Sequence, residues 1–244
     1  MLIHIAVFGV GIIAGFLNVM AGGGSLMTLP ILIFFGLPVA VANGTNRVAI
    51  LAQNLTAVAA FRRHGYTDIR TGLALALTTV PGAVAGALVA ITVSEGLFRA
   101  ILAGVLVVAV IGLLVRRQGR EQRHDTPRHA RLVAFLSFFA VGFYGGFVQA
   151  GVGFLIMIVL HQLLQFDLVR TNMHKVLIVL VFSVPALMVF AFTGNVAWPT
   201  AIALAVGNST GAIVATRVTV SGGERSIRMV LGIALLLMAV RLVW

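Results

Sequence analysis

The chain has 244 residues, 60% of them hydrophobic and 9% charged, with a mean hydropathy of +1.11 and a formal net charge of +11. A soluble domain carries about 25% charged residues, so this chain cannot cover a water-facing surface and reads as an integral membrane protein. It has no cysteine, which excludes disulfides, thiolate metal sites and cysteine nucleophiles.

The opening "MLIHIAVFGVGIIAGF" lacks the basic start of a signal peptide and reads as a retained first membrane segment. Apolar runs follow at roughly 2–20, 22–35, 46–61, 72–93 and 97–115, then, after a polar loop, at 132–148, 151–164, 176–192, 196–216 and 227–244. A crossing takes about 20 apolar residues. The second and seventh runs have 14 each, which as helices reach only about 21 Å. They are expected to be half-helices, re-entrant pieces or thin spans.

Both short runs open alike, "AGGGSL" at 21–26 and "AGVGFL" at 150–155. Further pairs keep the same order: "TNRVAI" with "MHKVLI", "GALVA" with "GAIVA", "LFRAIL" with "SIRMVL". This predicts an all-α polytopic membrane protein built from two repeats of about five helical segments, 1–115 and 132–244, joined by a basic loop at 116–131. Lys and Arg concentrate in cytoplasmic loops. Fourteen of the 17 basic residues, Lys175 included, fall in one alternate set of loops, and only Arg47, Arg99 and Arg241 in the other. The second repeat is therefore expected to be inverted, with both termini outside a cell inner membrane and 116–131 cytoplasmic. That loop reads as a topology anchor rather than a nucleic-acid site.

Three glycines in a row should break a helix, at about 1 kcal/mol each against alanine. Broken backbone survives within a bilayer only where protein buries it or a wet cavity receives it. Inverted-repeat transporters point such half-helix N-termini at anionic substrates. The amides of Gly23 and Gly24, the Ser25 hydroxyl, and the second break at Gly151, Val152 and Gly153 are thus candidate oxyanion donors. Close helix packing through small residues is the alternative. It is the reading for the four-residue spacings Gly11–Gly15, Gly82–Gly86, Gly142–Gly146 and Gly207–Gly211. The third run begins with Arg47, where a positive helix N-terminus disfavours a cation, and Lys175 takes the corresponding place in the eighth. An anion between each cation and its helix end would relieve the conflict. Asn43, Arg47 and Asn54 share one helical face, with Gln53 nearby. Asn18 and Gln149 precede the breaks. Pro81 and Pro185 mark kinks.

In these residues the chain resembles the sulfite exporter TauE/SafE family of membrane transporters. "AGGGSLMTLPILIFFGLPVAVANGTNRVAI" is similar to its first-half pattern and "GFYGGFVQAGVGFL" to its second-half counterpart. The resemblance implies transport of sulfite or organosulfonates. It points to Gly22, Gly23, Gly24 and Ser25, to Asn43, Thr45, Asn46 and Arg47, to the 150–153 break, and to Asn172, His174 and Lys175. In the second half Val152 and Phe154 stand where Gly23 and Ser25 do, a departure from the pattern.

Every Asp and Glu falls in a loop or at a segment end. No intramembrane acid pair, metal set or activated nucleophile is visible, so neither an enzyme nor a cofactor is expected. The partners are a small anion and the lipid bilayer, and association of copies is left open. Efflux by alternating access at a site between the repeats is the function read here. A passive anion channel and a proton- or sodium-coupled uptake permease are the alternatives.

Overall fold

A computed structural model describes residues 2–66, 68–114 and 130–243. The helices are α1 (Leu2–Ala21), α2 (Ser25–Phe34), α3 (Val39–Arg63), α4 (Ile69–Thr92), α5 (Glu95–Leu114), α6 (Ala130–Phe147), α7 (Val152–Ile158), α8 (Leu168–Phe192) and α9 (Trp198–Val243). A π-helical turn, Val159–Leu163, extends α7. Gly223, at φ 54° and ψ −150°, kinks α9 between the ninth and tenth apolar runs. The described residues contain no strand. The connecting loop at 116–131 lies almost wholly outside the described residues.

Among the described residues, four helices are long and apolar enough to cross a membrane, at Ile3–Ala21, Ile69–Thr92, Leu168–Phe192 and Trp198–Gly223. The polarity is that of a protein dissolved in hydrocarbon. Phe34 and Phe192 are 86% and 84% exposed, while Asn43, Asn46, Arg47, Gln53, Gln149, Asn172 and Lys175 are buried. Polar side chains turned toward the bundle interior are the rule in membranes. The chain is an all-α, multi-pass membrane protein.

The two short helices are shorter still than their apolar runs. The 10 residues of α2 rise about 15 Å, half the hydrocarbon thickness of about 30 Å. α2 starts at the buried glycine break and ends at the exposed Phe34.

The long helices α3 and α8 begin earlier than their hydropathy suggests. Pro38 (φ −52°, ψ 146°) sets the start of α3 at Val39. At α8 the Asp167 carboxylate accepts a hydrogen bond from the Arg170 amide at 2.8 Å. Side-chain N-caps of this kind outweigh a weak apolar signal. Arg47 and Lys175 therefore lie about two turns inside their helices, not at the starts expected for them. The conflict with a helix N-terminus does not arise, and Lys175 belongs to the buried interior rather than to a loop.

α1 runs along α9, and α4 along α6, through glycines. A Cβ on Gly15 would lie 2.2 Å from the Asn208 carbonyl oxygen, and one on Gly86 2.0 Å from that of Phe143. Gly142, Gly146, Gly207 and Gly211 meet backbone just as closely from the other side. The four-residue spacings are thus packing stripes. Gly86→Ala should lower thermal stability in detergent by about 1–3 kcal/mol through overpacking. Gly9→Ala, where nothing lies within 4 Å of the new Cβ, should be neutral or stabilising. Equal melting of the two variants would refute this account of the interface.

Candidate functional site

Both broken segments meet in the middle of the bundle. α1 ends at Gly22, whose φ of 82° turns the chain out of the helix, and whose amide donates to the Leu17 and Asn18 carbonyls at 3.1 and 2.8 Å. The second break turns at Gln149 (φ 63°) and Gly151 (φ 72°). A positive φ is uncommon outside glycine, so Gln149 is held there by its surroundings. It is fully buried, and its Nε2 donates to the Ser183 hydroxyl at 3.3 Å. The two breaks touch directly, since a Cβ on Gly153 would stand 2.4 Å from the Gly22 Cα. Gly23 lies under the Phe154 ring, and Gly24 against the Ala14 carbonyl. The glycines of the first break are in close contact with protein, as the packing alternative requires.

Side chains of α8 and α3 cap the ends of the broken helices. Lys175 Nζ donates to the Val19 carbonyl at 2.6 Å and to Asn172 Oδ1 at 2.7 Å, and lies 3.8 Å from Met157 Sδ. Asn172 Nδ2 donates to the Met20 carbonyl at 3.3 Å. These bonds serve carbonyls that the end of α1 leaves without helical partners. At the end of α6, Asn43 Nδ2 donates to the Phe147 carbonyl at 2.7 Å, and the Arg47 guanidinium donates to the Gly146 carbonyl. Arg47 also sits 4.7 Å from the centroid of the Phe190 ring. Its Nε and Nη1 have no partner, nor has Asn46 Nδ2.

A narrow cavity opens beside the crossing. Asn18, Ser25, Gln53, Asn54, Gln149 and Lys175 supply its polar wall, and Ile50, Val152 and Val179 its apolar one, with Gly153 between. Of the residues expected from sequence it gathers Ser25, Asn54, Gln149, Gly153 and Lys175. It does not gather Gly22, Gly23, Gly24, Gly151, Asn43, Thr45, Asn46, Arg47, Asn172 or His174. Thr45 instead accepts a hydrogen bond from the Ala197 amide at 3.0 Å, ahead of α9. Asn46 accepts one from the Thr28 hydroxyl at 2.7 Å. His174 is buried on the α4 side of α8.

Asn18 and Gln53, also noted as polar residues within the apolar runs, line the cavity as well. Gln53 Oε1 accepts from Asn18 Nδ2 at 3.3 Å and from Asn208 Nδ2 at 3.1 Å, which ties α3 to α1 and α9. Their signal in the sequence is polarity inside apolar runs. Lys175 is the one charged residue on the wall, and it forms no ion pair among the described residues. Its donors meet two oxygens and a thioether, a set suited to an ammonium group. Chemically the site offers one positive charge, several amide and hydroxyl donors and a short apolar wall.

A family model described as "Sulfite exporter TauE/SafE" matches residues 7–242. Among curated proteins, "Probable membrane transporter protein ORF9" of Sinorhizobium sp is 30% identical over 241 residues, covering 96% of this chain and 90% of that one. "Probable membrane transporter protein YfcA" of Escherichia coli K12 is also 30% identical, covering 97% and 88%. "Probable membrane transporter protein YunE" of Bacillus subtilis is 22% identical, covering 96% and 95%. No solved structure matches. The helical membrane fold, the paired glycine breaks and these relationships lead to one assignment: the chain belongs to the sulfite exporter TauE/SafE family of membrane transporters.

Proposed function

We propose that this transporter exports a small oxyanion, sulfite or an organic sulfonate, through the cavity beside the crossed breaks. The carrying observation is Lys175, a buried cation on a polar cavity wall with no carboxylate beside it. A charge buried in a membrane marks a substrate or ion pathway by default. Asn18, Gln53, Asn54 and Gln149 would complete the donors around the anion, and Ser25 would bring the first turn of α2 with its dipole. The apolar wall of Ile50, Val152 and Val179 suits the organic end of a sulfonate.

In this reading the halves 1–115 and 132–244 are inverted repeats with both termini outside the inner membrane. Each half supplies a cation from its long polar helix, Arg47 or Lys175, to the broken helix end of the other half. Alternating access would then proceed by rocking one half against the other around the crossing. An inside-negative potential favours anion exit by about 2.3 kcal/mol per 100 mV, roughly a fifty-fold gradient at 1.4 kcal/mol per decade. Export therefore needs no coupling ion.

Purified protein in liposomes with an imposed inside-negative potential should release sulfite in a saturable, trans-stimulated manner. Linear flux without trans-stimulation would make the protein a channel instead. Absence of flux for sulfite, sulfate and methanesulfonate at every potential would remove the anion reading.

Lys175→Gln should cut that flux by about tenfold or more, the equivalent of losing one charge-assisted contact, while the variant still elutes as folded protein. Arg47→Gln should act chiefly on stability, since Arg47 braces α6 and Phe190 away from the cavity wall. Wild-type flux in a folded Lys175→Gln would move the site elsewhere.

A further inference from the structure

His174 is fully buried, yet neither ring nitrogen has a hydrogen-bond partner. Buried polar groups are nearly always paired, and each exception calls for a reason. The ring is held on three sides. α4 presses on it so closely that a Cβ on Gly72 would lie 2.8 Å from Nδ1. The Phe166 ring lies against it, tilted by 40°, at 5.0 Å between centroids. Its Nε2 faces Asp68 Oδ2 at 3.5 Å, beyond the roughly 2.7–2.9 Å of a charge-assisted hydrogen bond.

Asp68 lies in the turn between α3 and α4, in the first half of the chain, and is 35% exposed along its side chain. It already receives a hydrogen bond from Arg170 Nη2 of α8 at 2.6 Å, and Arg170 in turn lies over the Phe166 ring. Asp167, whose carboxylate caps α8, is the other acidic residue at this end of the helix. Arg62, from the end of α3, shares with Asp68 the wall of a small cavity next to Met173 and Leu177. From the α7 side comes the Phe166 ring, and the Phe166 carbonyl is bonded to His161 Nδ1 at 2.7 Å. Hydrogen bonds from Arg170 and then Thr71 hold the Asp68 carboxyl below the usual carboxylate range, so it stays anionic at pH values where imidazoles titrate.

We propose that His174 is a proton-binding site that governs how this end of the protein opens. A proton from the water reaching Asp68 binds Nε2, and the imidazolium closes the gap to the carboxylate. That charged hydrogen bond fastens the α3–α4 turn to α8. Return of the proton to water leaves a neutral ring that cannot pair with Asp68 as an ion, and the turn is then held to α8 by the Arg170–Asp68 pair alone and loosens. The next residue is Lys175, which caps α1 and lines the cavity, so motion here reaches the proposed anion site directly. The site goes beyond the anion reading and does not depend on which substrate is carried.

The chain has no cysteine, so spin labels attach only where they are placed. Labels at Arg70→Cys on α4 and Gln162→Cys on the π-helical turn, both exposed positions, report the distance across this junction by pulsed electron paramagnetic resonance. The full-length protein in liposomes, without substrate, should gain a longer-distance population as rising pH takes the proton from His174. The profile should be that of one proton. His174→Gln should abolish the titration. Asp68→Asn should retain it only in reduced amplitude, since an imidazolium can still donate to the new amide oxygen, with the midpoint lowered by about one pH unit, a tenfold loss of proton affinity, because the anionic partner is gone. A purely structural histidine would leave that midpoint unmoved. The proposal is overturned by a pH-independent distance in the parent, by the same titration in His174→Gln, or by an unshifted midpoint in Asp68→Asn. Should His174→Gln fail to fold, the Asp68→Asn midpoint decides. No outcome requires flux, so a failure of the sulfite reading would be visible separately.

Discussion

A helix that stops inside a bilayer leaves carbonyl groups without partners, and hydrocarbon offers none. This protein stops two helices there, α1 at Gly22 and α6 at Gln149, and the arrangement around the centre follows from that constraint. Asn172 and Lys175 reach from α8 to the end of α1, and Asn43 and Arg47 reach from α3 to the end of α6. Each long polar helix thus belongs to one half of the chain and completes a broken helix of the other. The exchange also explains why α3 and α8 tolerate so many polar residues at membrane depth.

The same groups set the electrostatics of the centre. A cation that caps carbonyls is stabilised by a helix C-terminus without spending a carboxylate, which keeps the positive charge of Lys175 uncompensated beside the cavity. Arg47 is used differently. It is braced by the Gly146 carbonyl and the Phe190 ring, with further donors unpaired. Two cations, each about two turns into its helix, therefore have different surroundings. At the start of α8, Arg170 and His174 face Asp68 of the α3–α4 turn, which gathers opposite charges there.

Much of this was legible in the chain itself. Membrane character, the short broken segments and the glycine packing stripes all follow from composition and spacing, because hydrocarbon penalises polarity and only small residues let backbones touch. The helix starts were not legible. Hydropathy placed Arg47 and Lys175 near the starts of their runs, whereas Pro38 and Asp167, local backbone devices with no apolar signature, begin α3 and α8 two turns earlier. Thr45 and Asn46 looked like neighbours of an anion and are ties to the segment before α9 and to α2.

The sequence by itself determined the solvent this protein lives in, its family pattern and the places where its helices must break, since each depends on local composition or spacing. Only the tertiary structure decided what the breaks face. Gly22 meets Gly153, Lys175 meets Val19, and His174 meets Asp68, each across more than a hundred residues of chain. Such pairings are chosen by which buried donor can reach which orphaned acceptor once the helices are packed, a condition that no single stretch of sequence contains.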